Sequence, residues 1–276
     1  MLSPRDIQRK IRTVRNIQQI CRAMKTVSSI KLRKAQEAIT AARPYADALR
    51  EMVSFLSCGG ECNHSLLQVH QTDTRNGVVA ISSDKGMAGS YNANLIRTAT
   101  NLIKEKNDVI VFPIGRKVAD AFRRTGMNID TAITPLGTPE FHVIAALADH
   151  IGEQYTSGKL DHVELIYTRF GLGIVSMQLL PIVPPDDNVG AGNFIFEPSP
   201  EVIIDSILPR YLRTMLFTAV LSSVAAEHAA RVASMSLATE NADELIDKLT
   251  MEYNKSRQSN ITRDLTDIVG AAEALR

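Results

Sequence analysis

The sequence predicts an α/β protein: a Rossmann-like α/β domain inserted between two terminal helices that pair as a long antiparallel coiled coil. Three observations carry this. Residues 211–274 contain no proline and a single glycine, Gly270. Residues 4–43 contain no glycine, and their one proline, Pro4, stands at the start. Between these tracts, short apolar runs alternate with stretches of helical length. At ~1.5 Å per residue, sixty-odd helical residues span roughly 100 Å, more than a compact domain of this size needs, so the C-terminal tract reads as a rod.

The N-terminal helix starts at Ser3, a candidate N-cap, followed by Pro4 where a first turn tolerates proline. Ile7, Ile11, Val14, Cys21, Ser28, Leu32, Ala35, Ile39 and Ala42 fall on one 3.5-residue seam, interrupted by Gln18 and Lys25. Pro44 should bend this helix rather than stop it, because Leu49, Met52, Val53 and Leu56 continue the apolar pattern. We therefore place the first coiled-coil segment at residues 1–57. The charge is strongly uneven. Residues 1–43 hold eleven Lys or Arg against Asp6 and Glu37, a balance of +9, so with a total of +1 the remainder sums to −8. Most of the basic residues lie off the seam, which predicts an exposed basic arm and an acidic partner.

Residues 75–197 form the α/β domain. Apolar runs at 78–81, 109–114, 163–167 and 175–183 read as strands, the last of them antiparallel. The intervening stretches 92–106, 115–125 and 138–157 read as helices. PPDDNVGAGN, 184–193, is turn chemistry. Pro198 and Pro200 mark the return to the second coiled-coil segment, 201–276, with a kink expected at Pro209. Along it, Leu212, Leu216, Ala219, Ser223, Ala226, Ala230, Ala233 and Leu237 make a seam of mostly small residues, which lets a partner backbone approach closely. The two helices differ in length by about ten residues, which leaves the tip DIVGAAEALR without a partner from this chain.

Candidate chemistry is sparse. No apolar run reaches the ~18 residues of a membrane span, and no signal peptide is visible. Three cysteines fit a reducing compartment and no disulfide framework. Cys58, Cys62, His64 and His70 could hold a metal, but CxxxC is a loose spacing and the plainer reading is a surface loop. SSDKGMAGSYN, 82–92, follows a strand and precedes a helix, yet its GxxG is neither a dinucleotide fingerprint nor a P-loop. Asp84, Lys85 and Ser90 could hold a phosphate; the competing reading is a tight turn with a helix cap. His142, His150 and His162 stand apart from any nucleophile or carboxylate at a catalytic spacing, and His228 with Glu227 reads as a pair on a helix surface. We find no good nucleophile, base or cofactor box, and expect no enzymatic activity of this chain alone.

The N-terminal IRTVRNIQQICRAMKTVSSIKLRKAQ, the SSDKGMAGSYNANLI turn and the C-terminal YNKSRQSNITRDLTDIVGAAEAL together resemble the gamma subunits of F-type ATP synthases, from end to end and in order. The resemblance implies a bent antiparallel coiled coil within a hexamer of alternating alpha and beta subunits. It also implies an α/β domain that, with the epsilon subunit, grips the membrane c ring. The implied role is a non-catalytic rotor without cofactor or nucleic acid, one copy per complex. Membrane association would come through the complex alone, on the cytoplasmic face of a bacterial membrane.

By the same resemblance, Met24 and Lys25 pass a lever loop of a beta subunit. Arg257 and Gln258, with Thr262 and Asp264 beyond them, engage a beta-subunit loop. Arg231 couples the shaft to the N-terminal segment, and Phe194 and Glu197 face epsilon and the c ring. For each, the alternative is an ordinary exposed or seam residue. Ala88 and Ser90 depart from the family's cysteine and paired glycines, and the plastid-type cysteine insertion is not seen, so no thiol switch is carried over to Cys58 or Cys62. Two competing functions remain: a nucleotide-dependent enzyme using the Rossmann-like domain, and a nucleic-acid binder using the basic arm, whose affinity would fall steeply with salt.

Overall fold

Ser3 opens the first helix. Its hydroxyl accepts the Asp6 N–H at 3.2 Å and donates to the Asp6 carboxylate at 2.7 Å, and Pro4 takes the first helical position, where its missing N–H would have had no helical partner. The structure, a computed structural model, describes residues 3–58, 64–70, 74–106, 108–184 and 199–274. Helix α1, Pro4–Cys58, continues through Pro44. The last helix in the chain begins at Pro200 and runs without a break to Ala274, Pro209 included. It starts one residue before the 201 expected.

Between the long helices lie β1 (Asn76–Ile81), α2 (Tyr91–Lys104), β2 (Val109–Ile114), α3 (Arg116–Arg124), β3 (Asn128–Ile129), α4 (Phe141–Thr156), β4 (His162–Arg169) and β5 (Gly173–Leu180), followed by α5 (Pro200–Ala274). The strands form one sheet in the order β3-β2-β1-β4-β5, with the first three pairings parallel and β4–β5 antiparallel. The expected strands and helices are present with small shifts of their ends. Two-residue β3 is too short to announce itself by alternation. Side chains alternate across the sheet as the pleat requires. Val78 and Ala80 face α2 and α3 with Leu95, Ala99, Val118 and Phe122. Val79 and Ile81 face the other way, into a core with Ile144 and Ile151 of α4, Val53 of α1, and Leu208, Leu212 and Leu216 of α5.

One turn admits only glycine. Gly115 has φ +94, and a Cβ there would lie 2.3 Å from the Ser82 carbonyl oxygen. That approach lets Ser82 hydroxyl accept the Val118 N–H at 2.9 Å and the Ser83 carbonyl accept the Lys117 N–H at 3.0 Å, pinning the start of α3 to the end of β1.

The chain divides into two compact units, Met1–Ser29 with Arg231–Arg276, and Ile30–Ala230. In the first, α1 and α5 pack through Ile7, Ile11 and Leu249, flanked by Val14, Ile246 and Tyr253. Their direction follows from two contacts. Gln18 bonds Asp243, and Lys25 bonds Ser236 at 3.0 Å; seven residues forward on α1 correspond to seven back on α5, so the pair is antiparallel.

The α1 seam is nearly as expected, with one correction. Gln18 does not interrupt it: the residue is buried at 7% exposure because its amide has a carboxylate partner across the pair. Lys25 is exposed, and half-buried Met24 occupies that level. The α5 seam needs a larger correction. Leu212, Leu216, Ala219 and Ser223 are buried as expected, but Ala233 and Leu237 are exposed. Beyond Ser223 the buried line passes through Ala225, His228, Met235, Ala242 and Leu249. His228 is therefore buried, not a surface residue. The reason is twofold. An α-helix drifts ~20° per heptad against a strict 3.5-residue repeat, and alanines on several faces of this tract leave the pattern without a unique stripe.

Candidate functional site

The antiparallel unit carries most of the residues expected to meet a partner. Lys25 on α1 is exposed and donates to Ser236 on α5, while its neighbour Met24 is half-buried against the pair. Arg22, one turn earlier, reaches the Asp243 carboxylate at 3.5 Å. The other basic residues of α1 within this unit, Arg5, Arg9, Lys10, Arg12 and Arg15, are exposed as their places off the seam predict. Arg231 is buried to 6% exposure.

Arg257, Gln258, Thr262 and Asp264 lie together on the end of α5, joined locally by the Thr262 hydroxyl donating to the Gln258 carbonyl at 3.0 Å. They are not beside Met24 and Lys25. From Ser236 to Arg257 is 21 residues of one helix, about 30 Å, so the structure shows two patches at separate levels. Every described side chain from 257 to 271 is exposed, Ile261, Leu265, Ile268 and Val269 among them at 49–65%. The run without an α1 partner thus begins earlier than the ten-residue tip expected. With Gln18 opposite Asp243, residue 4 falls opposite residue 257, and the first helix has ended. Phe194 and Glu197 lie outside the described residues.

The SSDKGMAGSYN turn stands at the switch point of the sheet, where the chain leaves β1 toward β2 on one side and later returns to β4 on the other. Open α/β sheets bind ligands in this crevice. Here α5 fills it. The Ser223 hydroxyl accepts the Thr168 N–H at 3.2 Å, the Ser222 hydroxyl accepts the Phe170 N–H at 3.0 Å, and the Tyr91 hydroxyl donates to the Ser223 carbonyl at 3.2 Å. Ser223 is 1% exposed.

Asp84, a candidate phosphate residue, is occupied as well. Its carboxylate accepts the N–H groups of Arg116, Leu136 and Gly137 at 3.0–3.1 Å. Burial pulls its pKa up, but these three donors and the nearby Arg116 charge outweigh burial and hold it below the usual carboxylate value. An anion would meet this negative charge. Ser90 precedes α2 but makes no side-chain cap, and its hydroxyl instead accepts the Asn94 amide. The tight-turn reading holds, with Asp84 tying it together and no hydroxyl cap.

Other polar clusters serve packing. Asp161, its side chain 1% exposed, takes two bonds from the Arg75 guanidinium, at 2.9 and 3.2 Å, and the Thr74 and Arg75 N–H groups. Burial opposes its ionisation, yet these donors win and hold its pKa well below the ordinary range. His70 lies 3.3 Å from the same carboxylate and stacks on Tyr155, whose hydroxyl burial and then the Asp161 charge push up to about 12. His64 faces Asp205 at 3.6 Å instead. The two histidines of the supposed metal set thus turn to different carboxylates; the Cys58 side chain and Cys62 lie outside the described residues. His150 pairs with Asp130 at 2.6 Å beside Gln154, a dyad that only tertiary folding creates. Among the described residues no helix is long and apolar enough to cross a membrane.

Comparison with known proteins agrees with this geometry. A family model described as ATP synthase matches residues 3–275. The ATP synthase gamma chain of Moorella thermoacetica is 42% identical over 282 residues, covering 100% of both chains. That of Heliobacterium modesticaldum is 40% identical over 287 residues, covering 98% of each. Among solved structures, a chain of the Euglena gracilis mitochondrial ATP synthase (OSCP/F1/c-ring) superposes with TM-score 0.70 at 18% identity, over 99% of this chain and 94% of that one. A chain of the Tetrahymena thermophila central stalk and c ring gives 0.62 at 22%, over 79% and 99%. These two likenesses carry the fold, and the near-complete sequence matches carry the kinship. The chain belongs to the ATP synthase gamma chain family.

Proposed function

We propose that this chain is the central-stalk rotor of a rotary ATP synthase, with residues 1–57 and 201–276 as shaft and 75–197 as the α/β foot. It couples ion flow through a membrane c ring to conformational change in catalytic beta subunits, and does no chemistry itself. The observation that carries the reading is the end of α5: an exposed helix from 257 onward, polar to Asp267 apart from Ile261 and Leu265 and mostly small and apolar beyond it, held out by an antiparallel pair that has run out of partner. Such a tip fits the axis of an alpha–beta hexamer. Contact that differs from one beta subunit to the next favours their conformations in turn, because a ligand shifts an equilibrium only by its differential affinity.

In this reading Met24, Lys25, Arg257, Gln258, Thr262 and Asp264 meet beta subunits, Arg231 couples the shaft to the N-terminal segment, and Phe194 and Glu197 meet epsilon and the c ring. One copy serves each complex, peripheral to the cytoplasmic face of a bacterial membrane. The nucleotide-enzyme alternative loses support because its crevice holds α5. Reconstitution tests the proposal: purified alpha and beta subunits are combined with this chain or with a version ending at Asp243. One full-length chain per hexamer, with stepwise rotation of a probe on the α/β domain during ATP hydrolysis, is the expected result. Failure of the full chain to join the hexamer overturns it.

A further inference from the structure

A rotor must pass torque between its α/β domain and its shaft, and apolar burial alone is poorly suited to that. Hydrophobic contact is non-directional: the buried Leu208, Leu212 and Leu216 stripe opposes large turns of α5 but does less to stiffen it against small ones. Hydrogen bonds have preferred angles and so resist turning. We propose that Ser222 and Ser223 of α5 form a torsional latch that locks the shaft to the sheet. The inference rests on the rotor reading above.

The geometry suits this role. Adjacent residues on an α-helix point about 100° apart, so two hydroxyls at successive positions hold α5 from two directions. Both accept main-chain N–H groups at the end of β4, Phe170 for Ser222 and Thr168 for Ser223. Thr168 lies in the strand and Phe170 in the turn directly after it, and main-chain amides so placed swing less than side chains do. Tyr91, the first residue of α2, adds a third point by donating to the Ser223 carbonyl, so the helix is held both from the end of β4 and from the helix that follows β1. Ten residues earlier, Arg213 bonds Asp149 of α4 at 2.5 Å, a second polar attachment about 15 Å along the same helix. Two attachments spaced along one axis also oppose tilting. The crevice that open sheets use for ligands serves here as a socket.

The test uses the assembled ATP synthase containing this chain. With the hexamer fixed and a bead on the α/β domain, the angular variance is measured while the rotor waits for ATP. In the S222A/S223A variant, assembly and ATP hydrolysis stay normal and the variance roughly doubles as directional bonds are lost. S222T, which retains a hydroxyl, keeps the original variance. Unchanged variance in S222A/S223A with normal hydrolysis overturns the latch and leaves the rotor reading intact. Failure of the unaltered chain to rotate overturns the rotor reading instead. Should the double variant fail to assemble, S222A alone, at a half-buried position, is read the same way: a raised variance supports the latch and an unchanged one overturns it.

Discussion

Gln18 on α1 donates its side-chain amide to the Asp243 carboxylate on α5, across 225 residues of sequence. The amide is buried while the carboxylate is about half exposed, so the cost of breaking the bond falls mainly on Gln18. It sets the register of the antiparallel pair, and the level at which α1 ends follows from it.

Removing only the acceptor strands a buried donor. Asp243→Ala should cost about 1–2 kcal/mol in urea unfolding of the isolated chain, whereas adding Gln18→Met to it should restore most of that loss, since an apolar seam residue needs no partner. Equal stability of the single and double variants would contradict the assignment.

Gly115→Ala puts a Cβ against the Ser82 carbonyl at a positive φ that L side chains rarely adopt. Expected loss is about 2–4 kcal/mol, seen as a lowered thermal midpoint. Gly126→Ala, also at positive φ but with open space around the added methyl, should cost about 1 kcal/mol.

Two groups lose their contribution to stability on acidification, in separate pH windows. The pKa of Asp161 is held down in the folded chain, so its contribution is complete above the unfolded value of about 4 and is lost as pH falls below it. His64 is lowered by burial, only partly offset by Asp205; the folded chain resists its protonation, and stability declines as pH falls through about 6.5. Asp161→Asn should cost about 2 kcal/mol at pH 7 and flatten the acid limb. His64→Gln should flatten the limb near pH 6. Urea midpoints between pH 3 and 8 distinguish the two.

Arg257 and Gln258 are exposed and contact no other element among the described residues, so their role in the chain's own stability is small. Arg257→Glu with Gln258→Glu should shift the unfolding free energy by no more than about 0.5 kcal/mol, yet lower ATP hydrolysis of the reconstituted complex roughly three- to tenfold. Parallel losses of stability and activity would mark them as structural residues.

Local chemistry made much of this molecule legible. Ser3 with Pro4 announced α1, alternating apolar runs announced the strands, and the absence of breakers after 211 announced α5, because backbone preference and side-chain period act over a few residues. The end-to-end resemblance pointed by motif to the positions proposed here to meet beta subunits, without saying which of them lie together. Misreadings arose where the sequence is degenerate. Alanines at 225, 226, 229, 230 and 233 offer several stripes, and the packed face, not the pattern, selected the one through His228 and Met235.

What the sequence by itself determined is the order of elements, the length of the helices and the exposed basic arm, all set by neighbours within a few turns. Only the tertiary structure decided that Gln18 belongs in the seam, that Asp84 and Asp161 spend their charge on distant backbone amides, and that Ser222 and Ser223 close the crevice. The physical reason is shared by all five. A polar group's cost or value depends on whether its partner is present, and each of these partners lies far away in sequence.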